Sequence, residues 1–261
     1  MVVIAKHRAL LEQLGLATLA RVKAFKGELI KDHNGRRDIL RIKTTQPHGG
    51  ELVLFLKRNW RPYKKDGLRS LLRRGRVWSI ARQEWENAAA LERAGRQTAG
   101  RVAYGEECGP CWERFSYLIT EAASGQQTVE QFLRDCRAPA ERRRVFDALA
   151  RAIRRMHDAG LATPDLFTRH LFVDASATPP KFCLIDMARL DQKKQIGARL
   201  RARDLAALNV TAPLRYLTLR ERLRFLKIYA GGLDRRLVGL IAARTSYLLQ
   251  RRKFHGFLAA E

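Results

Sequence analysis

Met156-His157-Asp158-Ala159-Gly160-Leu161-Ala162-Thr163-Pro164-Asp165-Leu166-Phe167-Thr168-Arg169-His170-Leu171-Phe172-Val173, followed by Phe182-Cys183-Leu184-Ile185-Asp186, decides the architecture. Val145, Leu149, Ile153 and Met156 recur at helical spacing with arginines on the other face, so a helix enters this stretch and Gly160 ends it. A short loop then presents Asp165, with Pro164 restricting the backbone before it. His170 follows five residues later, and an apolar strand ending at Ile185 delivers Asp186. A carboxylate at a buried strand end needs a partner, and here that partner is a divalent cation or Arg189.

Upstream, the chain reads as strands. Ala24 to Lys31 and Arg37 to Lys43 flank Asn34-Gly35, a tight-hairpin signal. Gly49-Gly50 turns the chain into the strand Glu51 to Lys57. From Arg58 to Arg76 eight basic residues stand against one acid, Asp66, and with Pro62 and Gly67 this reads as an irregular, solvated insertion. A helix from about Val77 to Ala94 closes at Gly95. Strands Val102 to Glu107 and Trp112 to Glu121 bracket a Cys-Gly-Pro-Cys turn. Beyond Ser124-Gly125 the pattern is mostly helical, with a capping box at Thr218 and Glu221 and a last helix near Leu233 to Arg251.

The 261 residues suit one two-lobed unit or two small domains. The formal charge of +25 favours a polyanion: nucleic acid, an acidic membrane surface or a phosphorylated glycolipid. No stretch reaches the roughly 18–20 apolar residues of a bilayer span, and Lys6, Arg8, Glu12 and Arg21 break up anything resembling a cleaved signal. Cys108, Cys111, Cys136 and Cys183 do not form paired metal-ligand motifs, so a reduced, cytosolic chain is expected.

One acid that holds an acceptor hydroxyl beside another that holds a metal-bound phosphate is the pattern of protein-kinase-like enzymes. The expected fold is therefore α+β and two-lobed. Residues 1–120 form an antiparallel-sheet, nucleotide-binding lobe with one helix, and residues 121–261 a mainly helical lobe for catalysis and the acceptor. Asp165 is the candidate base or orienter, Asp186 the Mg²⁺ ligand, and His170 either a second ligand or a loop-orienting group. Lys57 is the candidate for the inner phosphates of ATP. Val77, Ala81, Glu84, Ala88 and Leu91 share one helical face, where Glu84 is the lone acid, so Glu84 rather than Glu86 is the expected partner of Lys57. Glu86 is placed on the wet side with Ser79, Arg82 and Arg93. Asn34-Gly35 is either a phosphate-covering turn or an ordinary surface turn.

These residues resemble the lipopolysaccharide core kinases, in particular the bacterial heptose kinase family of the inner core. The resemblance runs from about residue 24 to residue 230. It includes Gln83-Glu84-Trp85 with Leu91 and Gly95, Ala103-Tyr104-Gly105-Glu106, and Leu118-Ile119-Thr120-Glu121 with Glu121 at a nucleotide-contacting hinge. It continues through Met156-His157-x-x-Gly160-Leu161, Asp165, His170 and Ile185-Asp186-x-x-Arg189. Arg203-Asp204-Leu205 and Arg224-Phe225-Leu226-Lys227-x-Tyr229 complete it, with Asp204 implied as a brace for the catalytic loop. One departure is clear: the family carries histidine two residues before the catalytic aspartate, where this chain has Thr163.

The resemblance implies ATP- and Mg²⁺-dependent phosphorylation of a lipopolysaccharide inner-core sugar, a heptose first, at the cytoplasmic face of the inner membrane. On that reading Arg58, Arg61, Lys64, Lys65, Arg69, Arg73, Arg74 and Arg76, with Lys193, Lys194, Arg199 and Arg201, dock the glycolipid or the anionic membrane surface. A kinase acting on Kdo or a small molecule stays open. So does a basic nucleic-acid-binding protein on an inactive scaffold, which the scarcity of interleaved aromatics (Trp60 and Tyr63) disfavours.

Overall fold

Alternation along β4 explains how the first part of the chain is built. In Glu51–Asn59 (β4), Leu54 and Leu56 are fully buried on one face of the strand while Lys57 turns to the other. In the computed structural model, which describes residues 1–45, 49–60, 62–63, 67–68, 70–72, 75–125, 127–212 and 216–251, β4 lies inside an antiparallel sheet. That six-stranded sheet has the order β1-β6-β7-β4-β3-β2. Its other members are Val2–Val3 (β1), Glu28–Asp32 (β2), Arg37–Thr45 (β3), Arg101–Cys108 (β6) and Glu113–Glu121 (β7).

One face is covered by Arg8–Gln13 (α1) and Leu19–Ala24 (α2), neither of which the sequence pattern shows. Their Leu10, Leu11 and Val22 join Leu40, Ile42, Leu54, Leu56, Ala103, Tyr117 and Ile119 in one core. The expected strand from Ala24 accordingly starts later, at Glu28, because Leu19–Ala24 is helical. The opposite face carries Ile80–Arg93 (α3), whose Ala81 and Trp85 pack on Tyr104 and Leu118. Directly opposed residues of an antiparallel pair share a face, and Lys57 is opposite Leu118. Register alone therefore aims Lys57 at α3.

The expected insertion at Arg58 begins too early. Arg58 and Asn59 are the buried end of β4, and Gly67 and Ser70 are buried as well. Arg58 bonds both Asp38 oxygens, Nε to Oδ1 at 2.8 Å and Nη2 to Oδ2 at 2.9 Å. Its Nη1 donates to the Val22, Lys23 and Phe25 carbonyls at 3.1, 3.0 and 2.9 Å, closing the end of α2. Arg58→Ala is expected to cost about 3–5 kcal/mol, since it leaves the half-buried Asp38 carboxylate with only the Trp60 N–H and takes a donor from three carbonyls. Denaturant unfolding of the purified variant measures this, and a loss below about 1 kcal/mol would contradict the assignment.

The chain divides into two compact units, one of Met1–Ala90 with Ala99–Ala122, the other of Leu91–Thr98 with the residues from Ala123 on. Leu91–Thr98 belongs with the second because Gln97–Thr98 (β5) pairs with Lys181–Leu184 (β11). β11, the strand expected before Asp186, also pairs with Leu171–Asp174 (β10), and β10 with Gln127–Thr128 (β8), so a small sheet stands within the part that the sequence reads as mostly helical. The helices of this unit are Val129–Asp135 (α4), Pro139–Asp158 (α5), Ala198–Val210 (α6), Leu219–Ala230 (α7) and Arg235–Leu249 (α8). Val145, Leu149, Ile153 and Met156 form the buried stripe of α5, and Thr218 with Glu221 makes the expected capping box on α7. Thr128 with Gln131 makes a second box on α4.

Gly160 is required twice over. Its φ is +78°, and a Cβ there would lie 2.0 Å from the Lys193 carbonyl oxygen. That approach pairs Leu161–Ala162 (β9) with Asp191–Gln192 (β12), which sets the start of the loop carrying Asp165.

Candidate active site

Asp165 and Asp186 are 21 positions apart in sequence, and the β10–β11 hairpin closes that gap. Leu171 lies opposite Leu184, so the residues just outside this pair, His170 and Ile185, also meet. The Ile185 N–H donates to the His170 carbonyl at 3.0 Å. His170 Nδ1 is 3.0 Å from the Asp165 carbonyl, which can only accept, so the proton sits on Nδ1. Its Nε2 then carries a lone pair, 3.9 Å from Asp186 Oδ2 and 3.4 Å from the donating Arg169 Nε. Burial pushes the His170 pKa down despite the nearby Asp186 charge, in keeping with a neutral ring.

Asp186 has φ +59°, a left-handed conformation that costs a non-glycine residue about 1 kcal/mol. Its carboxylate is 35% exposed at the end of a buried strand. Magnesium takes oxygen ligands and keeps much of its water. Asp186 fits that requirement. His170 fits less well, because one ring nitrogen holds the Asp165 carbonyl and the other receives the Arg169 N–H. Among the described residues no group of three or more His, Cys, Asp or Glu could hold a metal ion.

Asp165 is held by Arg189 through both carboxylate oxygens, Nε to Oδ2 at 2.6 Å and Nη2 to Oδ1. The sequence made Arg189 the alternative partner of Asp186; in the structure its hydrogen bonds go to Asp165 instead.

Behind the loop, Asp204 is fully buried and braces it. Asp204 Oδ2 accepts the Thr163 N–H at 2.6 Å and lies 3.3 Å from His157 Nε2, while Oδ1 accepts from Arg203 at 2.7 Å. His157 Nδ1 meets the Tyr229 hydroxyl at 2.6 Å, and Arg201 donates to the same hydroxyl at 3.2 Å. Where the resembling family has histidine, Thr163 lends its hydroxyl to the Asp165 N–H at 3.3 Å. The threonine therefore caps the backbone of the candidate base. Downstream, Thr168 donates twice to Thr211, its N–H to Oγ1 at 3.1 Å and its hydroxyl to the carbonyl at 2.7 Å.

In the first unit, Lys57 Nζ and Glu84 Oε1 are 2.5 Å apart and almost buried, 13% and 5% exposed. Glu84 is 4% exposed as a residue and Glu86 is half-buried, in line with the choice between them. Two features of that helix differ from the pattern reading. Val77 precedes the helix, and Ser79 is fully buried rather than wet because its hydroxyl accepts the Arg82 N–H at 3.0 Å. The sequence pattern also missed the two carboxylates that hold the start of α3. Glu113 Oε2 accepts the Ile80 N–H at 2.9 Å and Glu106 Oε2 accepts the Ser79 N–H at 3.2 Å. Both flank the Cys-Gly-Pro-Cys turn, which thus serves to place Glu84; its cysteines are free thiols. Burial and the charges of Glu106 and Glu113 push the Cys108 thiol up to about 11, so it is protonated at neutral pH.

Other expected site residues are engaged locally. The Glu121 carboxylate meets Lys6 at 3.2 Å and His7 at 3.1 Å, fastening the N-terminal segment. Its N–H donates to the Gly100 carbonyl at 2.7 Å. Asn34 and Gly35 both have positive φ, +54° and +65°, as a tight hairpin demands. The Gly35 N–H proposed for phosphate is bonded to Asp32 Oδ1 at 2.9 Å. Of the expected docking cations, Arg58 is buried, and Arg201 is spent on the Ile196 carbonyl, Tyr229 and Asp158. Lys193, Lys194 and Arg199 are exposed. Arg61, Lys64, Lys65, Arg69, Arg73 and Arg74 lie outside the described residues.

Comparison with known proteins identifies the family. Residues 20–229 match the lipopolysaccharide kinase (Kdo/WaaP) family. Two proteins named lipopolysaccharide core heptose(I) kinase WaaP are similar over most of their length. The one from Pseudomonas aeruginosa is 31% identical across 80% of this chain and 78% of its own. The one from Escherichia coli K12 is 24% identical across 93% and 95%. A solved structure titled "WaaP in complex with acyl carrier protein" superposes with a TM-score of 0.69 at 26% identity, covering 98% of this chain and 99% of that one. A family match over residues 20–229 and a 31% identical relative covered over most of its length establish that this chain belongs to the lipopolysaccharide kinase (Kdo/WaaP) family.

Proposed function

We propose that this chain is an ATP-dependent kinase that phosphorylates a heptose of the lipopolysaccharide inner core. The observation that carries the mechanism is the Asp165–His170–Asp186 array, in which a neutral imidazole spaces the loop acid from the strand-end acid. Asp165 orients the attacking sugar hydroxyl and takes its proton. Asp186 holds Mg²⁺, which supplies charge neutralisation for the phosphates when bound. His170 fixes the loop through its Nδ1 proton, and Thr163 and Asp204 hold the backbone on either side. In the first unit Lys57, kept in place by Glu84, grips the inner phosphates of the nucleotide. Glu121 is not assigned a nucleotide contact through its carboxylate, which is spent on Lys6 and His7, and Asn34-Gly35 is assigned a turn.

The relatives' names and the charge of this chain both support that acceptor. A net +25 suits a glycolipid bearing anionic groups and an anionic inner-membrane surface. Among the described residues no helix is long and apolar enough to cross a membrane, so the proposed association is peripheral, with Lys193, Lys194 and Arg199 as exposed cations. Nucleic-acid stacking loses support because Trp60 packs on Phe115 at 4.9 Å and gives its N–H to Asp38 at 2.8 Å.

The test is incubation of the purified protein with Mg-ATP and dephosphorylated core glycolipid, with mass spectrometry of the product. A gain of one phosphate on heptose is expected. Phosphate on another sugar would change the acceptor, and no transfer would reject the reading. Glu84→Gln is expected to raise KM for ATP at least about tenfold, the kinetic counterpart of roughly 1.4 kcal/mol. Glu86→Gln should stay within about twofold. Equal effects would mean that the Lys57 pair does not position nucleotide.

A further inference from the structure

Arg189 reaches Asp165 because of a turn that immediately follows the metal-ligand candidate. The Leu190 N–H closes on the Met187 carbonyl at 3.2 Å, which brings Arg189 over the catalytic loop rather than out along the strand. The resulting fork is asymmetric in exposure: the Asp165 side chain is 14% exposed and the Arg189 side chain 57%. Two of the five guanidinium N–H groups go to the carboxylate. The other three find no acceptor among the described residues. The hydrogen bonds to Asp165, against the desolvation that burial brings, hold the guanidinium above its ordinary pKa, and the Asp186 charge adds to this. A planar cation is therefore anchored on the candidate base, feels the metal-ligand candidate, and keeps donors free.

We propose that Arg189 contacts the phosphoryl group in flight, with Asp165 serving as its anchor as well as the acceptor's base. The inference rests on the kinase reading. As the acceptor oxygen bonds to the γ-phosphorus, the bond to the β–γ bridging oxygen breaks, ADP leaves with that electron pair, and the acceptor proton passes to Asp165. Charge in such a transition state is spread over three equatorial oxygens. A guanidinium held by one fork can offer its remaining N–H groups to those oxygens, which the point charge of a lysine cannot reproduce. The fork on both Asp165 oxygens positions the cation for the phosphoryl group.

The experiment uses the full-length protein, Mg-ATP and dephosphorylated core glycolipid, with Arg189→Ala and Arg189→Lys. Arg189→Ala is expected to lower kcat for transfer at least about 100-fold, within the range such cations supply. KM for ATP and for glycolipid should change by less than about threefold. The slow hydrolysis of ATP to water should fall in parallel, since water meets the same phosphoryl group. Arg189→Lys should recover less than about tenfold, and added guanidinium ion should partly restore Arg189→Ala, which a collapsed site would not allow. A raised glycolipid KM with unchanged kcat and unchanged ATP hydrolysis would place the cation on an anionic part of the acceptor and overturn the proposal. An active wild type with an indifferent Arg189→Ala would overturn this inference alone. A wild type without ATP turnover would overturn the kinase reading together with it.

Discussion

Asp165→Asn lowers glycolipid phosphorylation by about 10³-fold or more, the expected loss of a positioned base in a site built on orientation, while unfolding shifts by less than about 1 kcal/mol. The stability half follows from exposure. Asp165 gives up an ion pair whose arginine is more than half exposed, and Asn still accepts from Arg189 through its side-chain oxygen. The main-chain links that define the loop do not depend on the carboxylate. They run from the Thr163 hydroxyl to the Asp165 N–H, and from the Asp165 carbonyl to the Phe167 N–H at 2.7 Å and to His170. Asp186 calls for a different substitution. Alanine would pay for the left-handed φ of +59° as well as for the lost ligand, whereas asparagine tolerates that conformation. Asp186→Asn should therefore fold like the wild type and transfer at least about 10²-fold more slowly, with more of the activity returning at high Mg²⁺ than in Asp165→Asn. The two variants separate the roles: kcat at saturating Mg²⁺, the Mg²⁺ dependence and a denaturant curve are measured for each. Wild-type turnover in either would remove that acid from the mechanism.

How much of this was legible beforehand follows from the range of each interaction. Period-3.6 spacing in α3 is local and sufficed to choose Glu84 over Glu86, while the pairing with Lys57 was expected from the kinase-like pattern. The catalytic stretch was readable for the same reason, because a helix stop, a loop acid and a strand-end acid follow each other in order. The N-terminal helices were not readable. Each has six residues, too few turns to show a periodic stripe, and they exist because Leu10, Leu11 and Val22 fill one face of the sheet. Arg58 looked like surface charge because its acid, Asp38, and three carbonyl acceptors lie 20 to 36 positions away. The caps of α3 were hidden likewise: Glu106 and Glu113 lie 27 and 33 positions from the N–H groups they hold. The allegiance of Arg189 depends on the Met187–Leu190 turn, which no spacing rule foretells.

Asp204→Ala is expected to carry the largest stability cost in the second unit, about 3–5 kcal/mol, the scale for removing one partner of a buried charge network. The Asp204 residue is 0% exposed, and three donors converge on it: the Thr163 N–H, the Arg203 Nε and His157 Nε2. Arg203 keeps Asp191 at 2.7 Å, so its charge is not wholly stranded. The Thr163 N–H and the imidazole have no such reserve; the other ring nitrogen of His157 is already engaged by Tyr229 at 2.6 Å. Asp204→Asn retains an oxygen for the Thr163 N–H but not the charge, and should cost about 1–3 kcal/mol. Activity separates bracing from mere packing. Because Thr163 caps the Asp165 N–H, release of its own N–H shifts the catalytic loop, and a displacement of about 1 Å is worth roughly 10²-fold in rate. For Asp204→Asn, kcat should thus fall more than the fraction unfolded accounts for, with KM for ATP unchanged, because Lys57 and Glu84, proposed to grip the nucleotide, lie in the other unit. A variant that loses stability but keeps the wild-type kcat per folded molecule would show that Asp204 holds the fold without positioning Asp165.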